Sequence, residues 1–418
     1  MTSELDGIFE SFDKRLIFKD KSLLQNNYQP KEILYRDEQI KQIASILAPI
    51  LRGEKPSNLF LYGKTGTGKT LSIQHVRDGL LKRADKTDGF KIKVEYLNCK
   101  LKKVSDTEYR ILAELVRKLG GEIPDTGLPT EAVYNKFLQI IDSHKQIVIL
   151  ILDEIDQTVK KISDGFLYNL TRLNSELSQS QICIVGISND LTFLEGLDPR
   201  VKSSLSEEEI VFPPYNALHL REILKHRANE VFKETVLHEG VIEKCAGFAA
   251  REHGDARRAL DLLRIAGELA ERDGSKRVLL KHIDEANNKI ERDKILDVVR
   301  TEPKQFQLVL YSIINLSKKR KNSQTVLGNQ KNPIKENDAM FTGDVYNYYH
   351  DLCLKYKMEI LTQRRVSDII QEFDMLGIIN VKVISKGRGG RMREIRLAIT
   401  DKIIEKAKEI IEDSLNYK

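Results

Sequence analysis

The residues best suited to chemistry lie in the run Gly63-Lys64-Thr65-Gly66-Thr67-Gly68-Lys69-Thr70. Its glycines let the backbone curl so that successive N–H groups face one point, an arrangement that attracts phosphate oxygens. Lysine and threonine follow at the spacing of a phosphate-binding loop, Lys69 to reach the β- and γ-phosphates and the Thr70 hydroxyl to sit on Mg²⁺. The expected ligand is a nucleoside triphosphate, ATP with Mg²⁺. The competing explanation is a chance Gly/Thr-rich turn, and context argues against it. Asn58-Leu59-Phe60-Leu61-Tyr62 reads as a buried strand entering the loop, and Leu71 to Leu81 as a helix leaving it, whose positive dipole end adds to the site.

Asp153-Glu154 forms a second group, at the end of the apolar run Ile147-Val148-Ile149-Leu150-Ile151-Leu152. An acid at the carboxyl end of a parallel strand faces the same crevice as the phosphate loop. Asp153 is expected to hold Mg²⁺ through water, and Glu154 to orient or deprotonate an attacking water. A further apolar run, Ile182 to Ile187, ends in Ser188-Asn189. An amide there suits contact with both the γ-phosphate and the water, but Asn is also an ordinary turn residue, and spacing alone does not choose.

A third group is basic. Thr362-Gln363-Arg364-Arg365 opens a helix, and Lys386-Gly387-Arg388-Gly389-Gly390-Arg391-Met392-Arg393 interleaves glycine with positive charge. Arg and Gln at the start of a recognition helix suit bidentate contacts to base edges in a major groove. A slim basic hairpin tip suits phosphates or a minor groove. A winged helix that docks protein, with a solvated basic tip, is the alternative. The tip meets no carboxylate until Glu394, so double-stranded DNA is the expected partner.

The elements that must position these groups follow from periodicity. From about residue 30 to 200, short apolar strands alternate with amphipathic helices, the pattern of a parallel sheet covered on both faces. Lys93 to Asn98 reads as a further strand. Beyond Phe212-Pro213-Pro214 the strand signals stop, and residues 216–292 carry helical spacing, as in Ala259, Leu262, Leu263, Ala266 and Leu269. A third region follows Pro303: a helix from Phe306 to Leu316, a polar stretch from Ser317 to Asp338 expected to be a loop, and helices at Gly343 to Tyr356 and Gln363 to Asp374. Gly377 ends the last of these, before strands at Ile378 to Ile384 and Arg393 to Ile399. That order is a winged helix-turn-helix. The boundaries expected are 1–210 for an α/β nucleotide-binding domain, 211–295 for a helical domain and 300–418 for the winged helix.

Composition agrees with soluble domains: 41% hydrophobic and 31% charged residues in 418, with a modest net charge of +6. No apolar run approaches the length of a bilayer span, so no membrane partner is expected. The start has no secretory order. Cys99, Cys183, Cys245 and Cys353 are scattered and read as buried, reduced thiols.

The phosphate loop, Leu-Asp-Glu-Ile-Asp at 152–156, Asn189, Leu-Asp-Pro-Arg at 197–200 and Gly-Asp-Ala-Arg at 254–257 stand in the order of AAA+ ATPases. More narrowly, the chain resembles archaeal replication initiators, relatives of origin recognition complex subunit 1 and cell division control protein 6. The runs at 198–205, 212–216 and 251–260 carry that resemblance, which extends from about Ile17 to Leu397. It implies an α/β AAA+ (P-loop) ATPase core, a helical lid and a C-terminal winged-helix DNA-binding domain. It places Asn189 at sensor 1, Arg257 at the sensor-2 arginine that reaches the γ-phosphate, and Arg200 at the arginine finger, which acts on a neighbouring subunit's nucleotide. Tyr215 and Arg227 match positions that close over the nucleotide from the lid. The segment Gln29 to Arg36 resembles the adenine edge, and His219 stands where the family commonly has an acid. Gly120 to Pro129 and the helix after it fill the place of a DNA-touching insertion.

The function so implied is an ATP-dependent initiator, cytoplasmic and nucleoid-associated. It binds duplex origin DNA, helps to recruit the replicative helicase and uses weak ATPase activity, with ADP as product, as a switch. A paralogous initiator subunit is a further partner. The rivals are a regulatory P-loop ATPase with a protein-docking winged helix, and a clamp-loader or helicase motor.

Overall fold

The computed structural model describes residues 17–25, 28–84, 90–100, 107–124, 127–205, 207–326, 340–385 and 391–416; for 321–326, 385, 391 and 416 it describes the backbone alone. The chain divides into two compact units, Met1–Ala286 and Asn287–Lys418.

The first unit holds β1 (Asn58–Tyr62), β2 (Lys91–Asn98), β3 (Gln146–Asp153), β4 (Gln181–Ser188) and β5 (Glu207–Val211) in one parallel sheet of order β2-β3-β4-β1-β5. Every position of β3 is buried, as a central strand covered on both faces requires. Its side chains alternate: Val148, Leu150 and Leu152 enter one apolar cluster, and Ile147, Ile149 and Ile151 the other. Gly186 of β4 faces the Phe60 ring, where a Cβ would lie 2.3 Å from Cε1, so the close packing of those strands needs a glycine. Asn58 ties the sheet further, donating to Leu205 O at 2.6 Å and accepting from Ile184 N at 2.9 Å.

Around the sheet run α1 (Asp37–Leu47), α2 (Lys69–Ala84), α3 (Glu108–Lys118), α4 (Thr130–Ile141), α5 (Ile155–Ile162), α6 (Gly165–Glu176) and α7 (Pro199–Leu205). The four strands read from apolar runs are present. The fifth was not read from sequence: β5 is Glu-Glu-Glu-Ile-Val, and its acids suit an exposed sheet edge. Helices α8 (Ala217–Val231), α9 (Val241–Arg251) and α10 (Ala256–Arg272) form the lid. Ala259, Leu262, Leu263 and Ala266 are fully buried. α11 (Leu280–Thr301) opens in the first unit, and its Leu296 and Val299 belong to the core of the second.

The second unit is α12 (Lys304–Val326), β6 (Met340–Phe341), α13 (Thr342–Tyr356), α14 (Gln363–Met375), β7 (Ile379–Ser385), β8 (Arg391–Leu397) and α15 (Asp401–Asn416). Its antiparallel sheet has the order β6-β8-β7, and Gly377 turns the chain out of α14 with φ 71°. The loop expected at 317–338 is corrected in its first part, because α12 continues to Val326. Arg320 pairs with Asp344 at 2.7 Å, and the Lys319 ammonium lies 4.6 Å from the Tyr348 ring centre. These partners on α13 anchor a polar stretch whose composition alone suggested solvent. Residues 327–339 lie outside the described residues. β6 and α15 were also unread; Tyr311 fastens α15 by donating to Glu412 at 2.7 Å.

Candidate nucleotide site and nucleic-acid interface

Between β1 and α2 the backbone takes positive φ at Gly63 (152°), Gly66 (73°) and Gly68 (93°), conformations that favour glycine. Space demands it as well. A Cβ on Gly63 would lie 2.5 Å from Phe212 O. Lys69 opens α2 and is buried; its ammonium donates to Gly63 O at 2.6 Å, Lys64 O at 2.9 Å and Asn189 Oδ1 at 2.9 Å. Burial pushes its pKa down to about 8, against the pull of the Asp153 carboxylate.

Register brings the acids to the loop. Asp153 ends β3 opposite Asn98 of β2 and Ile187 of β4, and Ser188 pairs with Tyr62, so Asp153, Asn189 and Gly63 leave neighbouring strands at one edge. The Thr70 and Tyr96 hydroxyls both donate to Asp153 Oδ2, each at 2.8 Å. Hydroxyl and carboxylate oxygens are the donors Mg²⁺ prefers, so Thr70 and Asp153 fit that ion. Glu154 turns the chain into α5 with φ 57° and ψ 40°, a left-handed conformation that costs a non-glycine residue about 1 kcal/mol. Lys100 Nζ lies 3.4 Å from its carboxylate. Asp156, buried, accepts from the Asn189 N–H at 3.4 Å.

Three segments meet at the loop: the start of α10 in the lid, the linker at Pro213 to Tyr215, and Arg36. Asp255 caps α10, accepting from the N–H groups of Arg257 and Arg258, and Ala256 N donates to Gly66 O at 3.3 Å. Tyr215 N donates to Gly254 O at 3.3 Å. The buried Arg36 guanidinium donates to Thr67 O at 2.7 Å, Pro213 O at 2.6 Å and Tyr35 O at 3.3 Å, and lies 3.9 Å from the Tyr215 ring centre. Burial lowers its pKa from the ordinary arginine value while Tyr215 offsets that effect.

These elements enclose a cleft of about 380 Å³. Thr65, Gly66, Thr67, Gly68, Lys69, Thr70, Asp153, Glu154, Asn189, Tyr215, Arg227 and Arg257 all line it, and Gly63 and Lys64 stand behind Lys69. Gln29, Pro30, Ile33 and Leu34 also line it, with Ile223 and Leu260 of the lid. Arg227 is buried there with its guanidinium 4.4 Å from the Tyr28 ring centre. His219 stacks on Tyr35, ring centres 4.2 Å apart. Arg200 is not part of this cleft. Its side chain, 82% exposed, forks onto Asp198 with two contacts of 3.1 Å. Sequence reasoning gave no individual role to Tyr96 or Asp156, and placed Arg36 only as the last residue of the segment resembling the adenine edge. Asp156 lies within the 152–156 run, but the contacts that bring these three residues to the site, with Thr67 and Pro213, Asp153, and Asn189, are long-range.

In the second unit Thr362 caps α14, its side chain accepting from Arg365 N at 3.3 Å. Gln363, Arg364 and Arg365 are exposed on the first turn. Arg365 lies 5.8 Å from the Phe306 ring centre and 4.0 Å from Glu372. Arg393 faces Val383 across the hairpin, and Arg391 faces Ser385. Lys386 and Arg388, named for the tip, lie outside the described residues. In the insertion, Gly120 leaves α3 with φ 93° and Tyr109 donates to Pro124 O at 2.9 Å.

A glycine-rich cradle at the carboxyl edge of a parallel sheet, closed by a helical lid, defines a P-loop protein of the AAA class, here continued by a winged helix. Residues 52–192 match the AAA domain, 221–288 the Cdc6 AAA+ ATPase-type lid domain and 297–407 the CDC6 C-terminal winged helix domain. The chain belongs to the family of ORC1-type DNA replication proteins. It is 50% identical over 402 residues to the ORC1-type DNA replication protein of Pyrococcus furiosus, covering 95% of this chain and 91% of that one. With ORC1-type DNA replication protein 1 of Methanosarcina mazei the identity is 49% over 396 residues, 94% and 91% of the two chains. Among solved structures, the Aeropyrum pernix ORC1 protein in complex with DNA matches with a TM-score of 0.79 and 42% identity, covering 96% of this chain and 98% of that one. Among the described residues, no helix is long and apolar enough to cross a membrane.

Proposed function

We propose that this chain is an ATP-dependent initiator of DNA replication that binds duplex origin DNA, helps to recruit the replicative helicase and hydrolyses ATP slowly as a switch. The observation that carries the switch is the seam between lid and loop: Ala256 N bonds Gly66 O, and Arg257 lines the same cleft as Lys69. A γ-phosphate reached by Arg257 from the lid and by Lys69 from the core joins the two, and its loss removes that joint.

In the proposed reaction water attacks the γ-phosphate in line. Lys69 and the loop amides hold the β- and γ-phosphates, Glu154 orients or deprotonates the water, Asn189 positions it, and Arg257 stabilises the charge that develops. Thr70 and Asp153 would hold Mg²⁺, which when bound neutralises phosphate charge. Tyr215 and Arg227 close the cleft, and Arg200, exposed, is free of the chain's own cleft to act on a neighbouring copy or a paralogous subunit. The domain limits proposed are 1–210, 211–295 and 300–418.

DNA binding is proposed through Thr362, Gln363, Arg364 and Arg365 with Lys386, Arg388, Arg391 and Arg393. It is supported by the exposed basic start of α14 and by a relative, 42% identical, solved with DNA. A nucleoid-associated, cytoplasmic location follows from that partner. The test is a footprint on genomic fragments, repeated with Arg364→Ala and Arg391→Ala. A protected, preferred sequence weakened by either change supports the reading. Binding without preference, indifferent to both changes, would refute it.

A further inference from the structure

We infer that Arg36 is a positioning residue of the phosphate cradle, aiming the Gly68 N–H at the β-phosphate while tying the lid linker to the loop. The inference rests on the nucleotide reading of the cleft and adds a residue that does not line it.

The geometry is that of one peptide plane. The Thr67–Gly68 peptide bond is trans, as are all those among the described residues, so the Thr67 carbonyl and the Gly68 N–H point in opposite directions from their shared plane. Arg36 Nε donates to Thr67 O at 2.7 Å, fixing that carbonyl on the side of Arg36. The Gly68 N–H is thereby held on the opposite side, and Gly68 lines the cleft. A donor fixed before the ligand arrives needs no reorganisation when charge meets it.

The same guanidinium is itself fixed. Nη2 donates to Pro213 O at 2.6 Å and Nη1 to Tyr35 O at 3.3 Å, with the Tyr215 ring against it at 3.9 Å and Phe212 at 5.6 Å. Arg36 therefore joins the base-edge segment, the phosphate loop and the linker that leads into α8. Few residues do this: the fork needs a planar group with divergent donors and a face to stack, which lysine lacks. A Cβ on Gly68 would stand 3.0 Å from the Tyr215 hydroxyl, with the Arg36 Nε and Cγ in ordinary contact at 3.7 Å.

The test compares full-length protein with Arg36→Lys and Arg36→Met, measuring ADP and AMP affinity by competition and the Gly68 amide by NMR after ¹⁵N-glycine labelling. Only ADP places a β-phosphate in the cradle. The expected result is a loss of tenfold or more in ADP affinity for Arg36→Met, a smaller loss for Arg36→Lys, a near-constant AMP affinity, and a reduced shift of the Gly68 amide on ADP binding. If Arg36→Met does not fold, Arg36→Lys decides, because it keeps the charge and most of the volume. Equal losses for ADP and AMP mean a general structural role and overturn the inference, as does an unchanged ADP affinity. Wild-type protein that binds no nucleotide overturns the nucleotide reading, and this role with it.

Discussion

Asp255 of the lid lies so close to Gly66 of the phosphate loop that a Cβ on the glycine would sit 1.7 Å from its Oδ1. Gly66 also has a φ of 73°, so a side chain there is strained before any clash. Gly66→Ala is expected to push the lid off the loop, lowering ADP affinity by a hundredfold or more in calorimetry. The β-sheet core is untouched by the change, so far-ultraviolet circular dichroism should stay that of the wild type. Wild-type affinity in this variant would mean that the lid and loop do not close together.

Lys69 carries a pH dependence. Its pKa of about 8 lies below the ordinary lysine value because of burial, near 10.4 in an unfolded chain. Between those values the unfolded chain binds more protons, so stability increases as pH rises across that window. Nucleotide reverses the sense, since phosphate beside Lys69 favours the ammonium. ADP affinity is expected to fall by up to about tenfold per unit above pH 8, with proton uptake on binding at pH 9. Calorimetry in two buffers of different ionisation enthalpy measures both. Affinity that is flat from pH 7 to 9 with no proton uptake excludes this role for the lysine.

Tyr96→Phe deletes one of two hydroxyls that meet at Asp153 Oδ2. The remaining donor, Thr70, is the proposed Mg²⁺ residue, so Asp153 loses its only other described anchor at that oxygen. ATP turnover is expected to fall about three- to tenfold and the Mg²⁺ concentration for half-maximal rate to rise, with ADP affinity in the absence of the metal within twofold of wild type. A steady-state titration of Mg²⁺ checks this, and an unchanged midpoint leaves Tyr96 as packing alone.

Arg364 stands exposed on the first turn of α14, beside a Thr362 whose side chain is committed to the helix cap. Arg364→Ala is expected to cost about 1–3 kcal/mol at a preferred site and to relax the choice of base there. Measured against salt, a uniform loss across sequences with a slope smaller by about one would instead assign Arg364 to a phosphate.

The parallel sheet was legible because β1, β3 and β4 are apolar runs that only burial on two faces explains, and the cradle because glycine spacing at 63, 66 and 68 is itself the backbone requirement. β5 escaped because three glutamates on an edge strand look like loop. The continuation of α12 past Leu316 escaped because Lys319 and Arg320 meet partners on α13, Tyr348 and Asp344, which sequence distance conceals. Arg36 and Tyr96 escaped for a related reason. Their meaning lies in Thr67, Pro213 and Asp153, and each of those contacts spans many residues. The arginine at position 200 was read only from resemblance, and its bidentate hold on Asp198 gives no further sign of a task.

Gly254 has φ 67° and no room for a side chain, a Cβ there lying 2.3 Å from Tyr215 O, while Ala256 meets Gly66 and Arg36 meets Pro213. Residue 36 and the stretches 63–68, 212–216 and 253–258 therefore pack as one block. A chimera that exchanges the lid of this chain for that of a relative will keep a working joint only if all four travel together, and one that cuts between them inherits two halves of different locks.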